Sequence, residues 1–309
     1  MPELPDILVY LDALRERLVG RRLERAVVRS PSLLRTWDPP LATAQGRTVI
    51  GVERLGKRVV LALEGELYLV FHLMIAGRFH WRKPGVLPGG RSDQAAFGFD
   101  RGTLLLTEAS TLKRAELHVV SPAPALACFR RGGVDVLGCT PAEFDEALLR
   151  ENHTLKRALT DPRLFDGIGN AFSDETLHAA RLSPLQWTSR LSPDERERLR
   201  EAARSTLLTW IERLRRQRGA QFPEKVTAFQ PEMAVHGKYC QPCPVCGTSV
   251  QRVRYPGNET NYCPRCQTGG RLLADRALSK LLKGDWPRTI EDLEELNERT
   301  RKLAGPDRE

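Results

Sequence analysis

Two groups of residues in this 309-residue chain have the types and spacing needed for chemistry. The first is Cys243-Pro-Val-Cys246 and Cys263-Pro-Arg-Cys266, two C-x-x-C pairs separated by 16 residues. Zinc takes four ligands near the corners of a tetrahedron, about 2.3 Å from each sulfur. One C-x-x-C turn presents two thiolates to an ion, and a hairpin between two such turns brings in the second pair. Gly247, directly after the first turn, suits the tight bend this requires. The pattern predicts one structural Zn2+ held by Cys243, Cys246, Cys263 and Cys266, with no open position for catalysis. A redox role would need only one such pair, and Cys240 is left over as an ordinary thiol.

The second group is the N-terminus. Pro2 follows the initiator methionine, which is normally trimmed before so small a residue. Trimming would leave a secondary amine able to attack an electrophilic sugar carbon and form an iminium directly. Glu3 lies beside it and Asp6 one helical turn on, so carboxylates stand ready to move protons. Alone, Met-Pro-Glu is an ordinary way for a chain to begin.

These groups need elements to hold them. Ile7, Leu11, Leu14 and Leu18 share one face of a helix expected over residues 4–19, with Pro5 and Asp6 suited to its first turn. From Arg47 to Arg82 the texture is strand-like. Val59, Leu61 and Leu63 alternate, Glu64-Gly65 reads as a turn, and Leu67 to Leu73 follows as a second strand. Thr103–Thr107 and Leu117–Val120 add two more. The texture switches at Thr140-Pro141-Ala142-Glu143, a capping-box pattern, and helical signals then run to about Gly219. Leu199, Ala203, Leu207, Ile211 and Leu214 keep a 3.6 period within 194–218. Residues 271–303 read as helical again, broken at Gly284 to Pro287.

Composition sets the class. Hydrophobic residues make up 41%, enough for a real core, and no apolar run is long enough to span a membrane. The N-terminus resembles no secretory signal. Lys+Arg 48 against Asp+Glu 39 gives a net charge of +9. The segment 271–309 holds nine basic and nine acidic residues, so the surplus lies upstream. Such a body suits a polyanionic partner, nucleic acid before membrane. Seven cysteines, five of them within residues 240–266, point to a metal site in a reducing cytoplasm rather than a disulfide framework. Arg252, Arg254 and Asn258 fall on the hairpin between the cysteine pairs, where they either grip nucleic acid or merely solvate a small module.

The opening Pro2-Glu3-Leu4-Pro5-Asp6 strongly resembles the signature of the formamidopyrimidine-DNA glycosylase/endonuclease VIII family. The resemblance continues through Gly56-Lys57-Arg58, Gly167-Ile168-Gly169-Asn170 and Tyr262-Cys263-Pro264-Arg265-Cys266-Gln267, in family order over residues 2–267. It implies a multidomain α+β protein. An N-terminal helix and β-sandwich (1–132) would precede a helix-two-turn-helix domain (133–235), a four-cysteine zinc finger (236–269) and a helical extension (270–309). The implied protein is a bacterial, nucleoid-associated monomer that binds damaged DNA, double-stranded or partly single-stranded, with the damaged nucleotide flipped out.

By the same resemblance Pro2 is the nucleophile at C1′, with β- and δ-elimination cutting the strand, and Glu3 is the general acid/base. Asp6 stands where the family usually has glutamate, one methylene shorter. Lys57 matches a phosphate-gripping lysine, though an exposed strand lysine is the default for such a residue. Asn170, with Gly169 before it, matches a phosphate-binding asparagine, and Lys156 a second phosphate-contacting lysine. Two departures stand out. Asn258 occupies the place of the arginine that clamps phosphates, which Arg252 or Arg254 could replace. The segment Glu108-Ala-Ser-Thr-Leu-Lys-Arg-Ala115 lacks the family phenylalanine that fills the gap left by the flipped base, leaving Met74 and Ile75 as wedge candidates. The resemblance thus implies a bifunctional glycosylase/AP lyase. Action on oxidised pyrimidines or single-stranded lesions, or DNA binding without catalysis, stays open beside it.

Overall fold

In the computed structural model, which describes residues 1–274 and 287–304, the chain divides into two compact units. Met1–Asp135 and Leu207–Ala228 form the first, and Val136–Thr206 with the chain from Phe229 onward forms the second.

The first unit is built on two four-stranded antiparallel sheets and a helix. Strands β1 (Arg25–Val28), β6 (Asp93–Phe99), β7 (Gly102–Glu108) and β5 (Gly77–Arg82) form one sheet in that order. Strands β2 (Val49–Leu55), β3 (Arg58–Leu63), β4 (Leu67–His72) and β8 (Glu116–Val120) form the other. The expected alternation sets the register of the second sheet. Val59, Leu61 and Leu63 of β3 stand opposite Phe71, Leu69 and Leu67 of β4, and all six are buried. Helix α1 (Leu4–Leu18) turns Ile7, Leu11, Leu14 and Leu18 into the same core, as its period predicts. Strand β6 escapes a sequence reading because Ala95, Ala96 and Gly98 are poor strand formers. Its place between β1 and β7 buries it regardless.

The second unit is helical around a small hairpin. Helix α2 (Pro141–Leu149) opens on the expected capping box: the Glu143 amide donates to Thr140 Oγ1, and the Thr140 amide to Glu143 Oε2. Helices α3 (Leu155–Thr160) and α4 (Asn170–Ala180) follow, then α5 (Pro193–Arg218), whose last turns belong to the first unit. Strands β9 (Gln251–Tyr255) and β10 (Asn258–Tyr262) pair antiparallel across Pro256-Gly257, and the short helix α6 (Pro264–Thr268) closes the finger. The tail returns to it. The Leu273 amide donates to the Tyr262 hydroxyl, and the Leu272 amide to the Arg288 carbonyl, ahead of α7 (Ile290–Ala304). The expected helix break at Gly284 lies outside the described residues.

Candidate active site and nucleic-acid interface

Helix α1 begins where the reactive chemistry was expected. Pro2, Glu3 and Asp6 are all buried, and Asp6 Oδ2 accepts the Glu3 amide at 2.9 Å. This reciprocal cap fixes both carboxyls against the chain terminus. Burial pushes the Asp6 carboxyl up to about 7, against the opposing hydrogen bond from the Glu3 amide. Burial likewise holds the α-amine of Met1, the residue ahead of Pro2, below its ordinary value. Glu3 and Asp6 raise it, while Arg78 and Lys57 lower it further. A secondary amine freed at Pro2 by removal of Met1 would stand beside these carboxyls, the kind of arrangement that Schiff-base chemistry uses.

The neighbouring loops leave one end of the sheets. Lys57 is the second residue of the two-residue turn Gly56-Lys57, just ahead of β3 rather than within it; Leu55 pairs with Arg58 to close that turn. Gly77 pairs with Glu108, so loops 73–76 and 109–115 emerge side by side. The first is a tight turn closed by the Gly77 amide on the Leu73 carbonyl at 2.8 Å. A Cβ at Gly77 would stand 2.3 Å from that carbonyl oxygen, so glycine is required there. Met74 takes a left-handed φ of 51° and is half-buried, while Ile75 is pushed out to 59% exposure. The second loop is gathered on the buried Glu108 carboxylate, which accepts the amides of Arg114 and Ala115, with Lys113 Nζ on the Glu108 carbonyl. Its tip presents Leu112 at 63% exposure.

Sequence reasoning passed over three residues here. Leu112 could have been found as a lone large apolar side chain in a polar loop. His72, at the end of β4 beside Arg58 and Glu116, is pushed down to about 4 by burial and then by Arg58, so it is neutral. Arg78 carried no sequence signal at all.

The second unit collects polar side chains around α4. The Asn170 side chain amide donates to the Glu259 carbonyl at 3.0 Å, tying the start of α4 to β10, and its Oδ1 is buried without a partner. Gly169 precedes it as the N-cap, its carbonyl accepting Ser173 Oγ at 2.6 Å. Lys156 is not on the surface. Its Nζ donates to the Asn170 carbonyl at 2.6 Å, Ser173 Oγ at 2.8 Å and Asp174 Oδ1 at 2.6 Å, which takes up all three donors beneath α4. Asp174 also accepts from His236 Nδ1 at 2.8 Å, and Glu175 accepts three successive amides, from Ala234 to His236. On the hairpin, Arg252 stacks over Tyr239 at 4.0 Å and pairs with Glu259 at 3.4 Å. Arg254 is exposed, and Asn258 stands at the exposed corner with its Oδ1 accepting the Glu259 amide.

The sulfurs of Cys243, Cys246, Cys263 and Cys266 lie within 4.8 Å of one another, the closest cross pairs at 3.4 and 3.9 Å. Four sulfurs tetrahedral about zinc stand about 3.8 Å apart, so this donor set fits one structural Zn2+. Cys240 lies outside the cluster and is exposed. Among the described residues, no helix is long and apolar enough to cross a membrane.

Comparison with known proteins agrees with this geometry. The formamidopyrimidine-DNA glycosylase N-terminal domain model matches residues 1–114, its H2TH domain residues 138–219, and the zinc finger found in FPG and IleRS residues 241–269. The formamidopyrimidine-DNA glycosylase of Thermus thermophilus is 34% identical over 287 residues, covering 87% of this chain and 100% of that protein. That of Heliobacterium modesticaldum is 31% identical over 284 residues, covering 86% and 100%. The crystal structure of the MutM (Fpg) protein from T. thermophilus superposes with a TM-score of 0.73 at 31% identity, covering 86% of this chain and 98% of that one. The Lactococcus lactis Fpg in complex with abasic-site DNA shares the fold, with a TM-score of 0.76 at 24% identity over 86% and 99% of the two chains. From the start of α1 to the zinc finger, the chain belongs to the formamidopyrimidine-DNA glycosylase family.

Proposed function

We propose that this chain excises oxidised bases from DNA and cuts the strand at the resulting site, with Pro2 as the covalent nucleophile. The observation that carries this reading is the burial of Pro2 at the start of α1 beside the reciprocally capped, buried carboxyls of Glu3 and Asp6. Once Met1 is removed, the Pro2 nitrogen attacks C1′ of the flipped nucleotide. The N–C1′ bond forms as the glycosidic bond breaks, and its electron pair leaves with the base, which takes up a proton. The new ammonium loses its proton to a nearby carboxylate. The sugar ring then opens, the C1′–O4′ electrons moving to O4′, which Glu3 or the protonated Asp6 supplies with a proton. The remaining iminium acidifies C2′, and loss of that proton expels the 3′ phosphate. A further elimination expels the 5′ phosphate.

Lys57 and Asn170 are proposed to hold the flanking phosphates, with Arg254 and the Asn258 amide at the finger corner and Arg252 supporting the hairpin. Gly169 allows the backbone to come close. Lys156 acts from beneath, by positioning Asn170. Ile75, flanked by Met74, and Leu112 form an aliphatic wedge for the space vacated in the duplex. A wedge without an aromatic ring favours an opposite-base preference of its own. The setting is a reducing bacterial cytoplasm, with the monomer acting on the nucleoid.

The test is borohydride trapping on duplexes that contain an abasic site, 8-oxoguanine or thymine glycol, with mass-spectrometric mapping of the adduct. An adduct on Pro2 is expected, and the best-trapped lesion ranks oxidised purines against pyrimidines. Retaining Met1 or adding an N-terminal tag should abolish trapping while DNA binding persists. Trapping that survives the block would remove Pro2 from the mechanism, and DNA binding with no adduct on any substrate would leave a binder on the same scaffold.

A further inference from the structure

We propose that His178 is a positioning residue for the metal centre: its ring Nε2–H donates to the Cys243 thiolate, easing the charge on that sulfur and fixing the finger to the far end of α4. His178 lies in the last turn of α4, and its Nε2 stands 3.3 Å from Cys243 Sγ. Both side chains are buried. A zinc-bound cysteine has lost its proton, so its sulfur can only accept and the ring must be the donor. The inference rests on the four-cysteine metal site and not on the chemistry assigned to Pro2.

Four thiolates around one Zn2+ leave negative charge in excess on the sulfurs. Where those sulfurs are buried, N–H donors aimed at them are what makes the charge tolerable. Within the finger, the Cys266 amide donates to Cys263 Sγ at 3.5 Å, a bond that the C-x-x-C turn supplies for itself. Cys243 receives a donor from outside the finger, from a residue 65 positions earlier in the chain. A phenylalanine or leucine at 178 would occupy the space and offer the sulfur nothing.

The same helix is held to the finger along its whole length. At its start the Asn170 side-chain amide donates to the Glu259 carbonyl at 3.0 Å. In its middle Glu175 accepts the amides of Ala234, Val235 and His236, on the chain leading into the first C-x-x-C turn. Just past its end the Leu182 carbonyl accepts the Gln267 side-chain amide at 2.9 Å, while the Gln267 oxygen accepts the Cys263 amide at 2.8 Å. Of these contacts, only that of His178 reaches a ligand atom itself. It therefore couples the metal to the helix that carries Asn170.

The test uses the full chain reconstituted with Co2+ in place of Zn2+, for the parent, His178→Phe and His178→Gln. Taking an N–H away from a thiolate raises its electrons in energy. The sulfur-to-cobalt charge-transfer absorption should therefore move to longer wavelength in His178→Phe. His178→Gln, whose side-chain amide donates from a similar reach, should bring the band back toward its parental position. Competition with a chromophoric chelator should show Zn2+ affinity falling about 10-fold in His178→Phe and less in His178→Gln. An unmoved band in His178→Phe, even with weaker metal binding, would leave His178 as a packing residue and overturn the proposal. A band that moves equally in both variants would overturn it as well, since a retained donor should retain the band. A parent chain that takes up no Co2+ would defeat the four-cysteine site itself, which is a separate failure.

Discussion

Each unit buries an aspartate in the first turns of a helix, and the two are treated in opposite ways. Asp6 lies at the start of α1, capped by one backbone amide, with no cationic side chain bonded to it among the described residues. Asp174 lies on α4, fully buried, and accepts from the Lys156 ammonium, His236 and the Asn261 amide, the last at 3.4 Å. A carboxyl left with little compensation protonates more easily and becomes a proton carrier near neutrality. One given an ammonium at 2.6 Å becomes a brace. Burial alone therefore does not decide how readily a carboxyl protonates; the set of partners does.

The largest effect should come from breaking the brace. Lys156→Met leaves a buried carboxylate without its ammonium, and losses of about 3–5 kcal/mol are typical of such a change. The start of α4 should loosen with it, because the same Nζ holds the Asn170 carbonyl. Urea denaturation measures the loss, and Asp174→Leu added to Lys156→Met should recover part of it by removing the stranded charge. A double variant no better than the single would show that the brace acts by shape rather than charge.

Asp6→Asn should behave in the reverse manner. The folded chain holds this carboxyl above its ordinary value, so its neutral form is the one the fold accepts. Its stabilising contribution is complete below the ordinary carboxylate range and is lost as pH rises from about 4 through about 7. Above that window the asparagine variant should be as stable as the parent or more so, by a few kcal/mol at most. Below it the two should converge. Thermal denaturation at acid and mildly alkaline pH measures the difference, and a variant less stable than the parent at alkaline pH would contradict an uncompensated Asp6.

Removal of zinc should fall between these effects and affect only the second unit. Cys243 and Cys263 are core members of their small cluster, buried together with Val235 and Val250. Chelation should therefore unfold the β9–β10 hairpin and weaken DNA binding, while the sandwich keeps its near-ultraviolet circular dichroism. Unchanged DNA affinity would make the finger dispensable.

The same contrast explains what the sequence revealed. The zinc ligands and Pro2, Glu3 and Asp6 are local patterns, each within a turn or a hairpin of its partners, so their spacing could be read. The faces of α1 and α5 and the β3–β4 hairpin follow from periodicity for the same reason. Arg78 meets Val226 only because β5 is an edge strand on which the chain folds back after α5. Lys156 meets Asp174 only after α3 has docked on α4, and a lysine that reads as a surface phosphate contact turns out to be a buried brace. Leu112 gained meaning only when the Gly77–Glu108 register set its loop beside Ile75.

The smallest effect should come from Asn258→Arg, which separates grip from brace within the finger. Arg252 is committed, stacked on Tyr239 and paired with Glu259, so its charge is partly used inside the hairpin. Asn258 is exposed at the corner, where its oxygen caps the next amide and its NH2 can donate only as a neutral group. An arginine there would add a forked cation at the hairpin turn at little cost to the fold, because β10 begins at that residue and its side chain lies in solvent. DNA affinity should rise by about 1 kcal/mol, and the salt dependence of binding should steepen by about one phosphate contact. The stability of the second unit should not move, since no bond of the Lys156–Asp174 brace is touched. A gain in affinity without a steeper salt slope would mean the new side chain binds through something other than phosphate. No gain at all would mean that Arg254, two strand residues before the turn, already fills that position on the DNA.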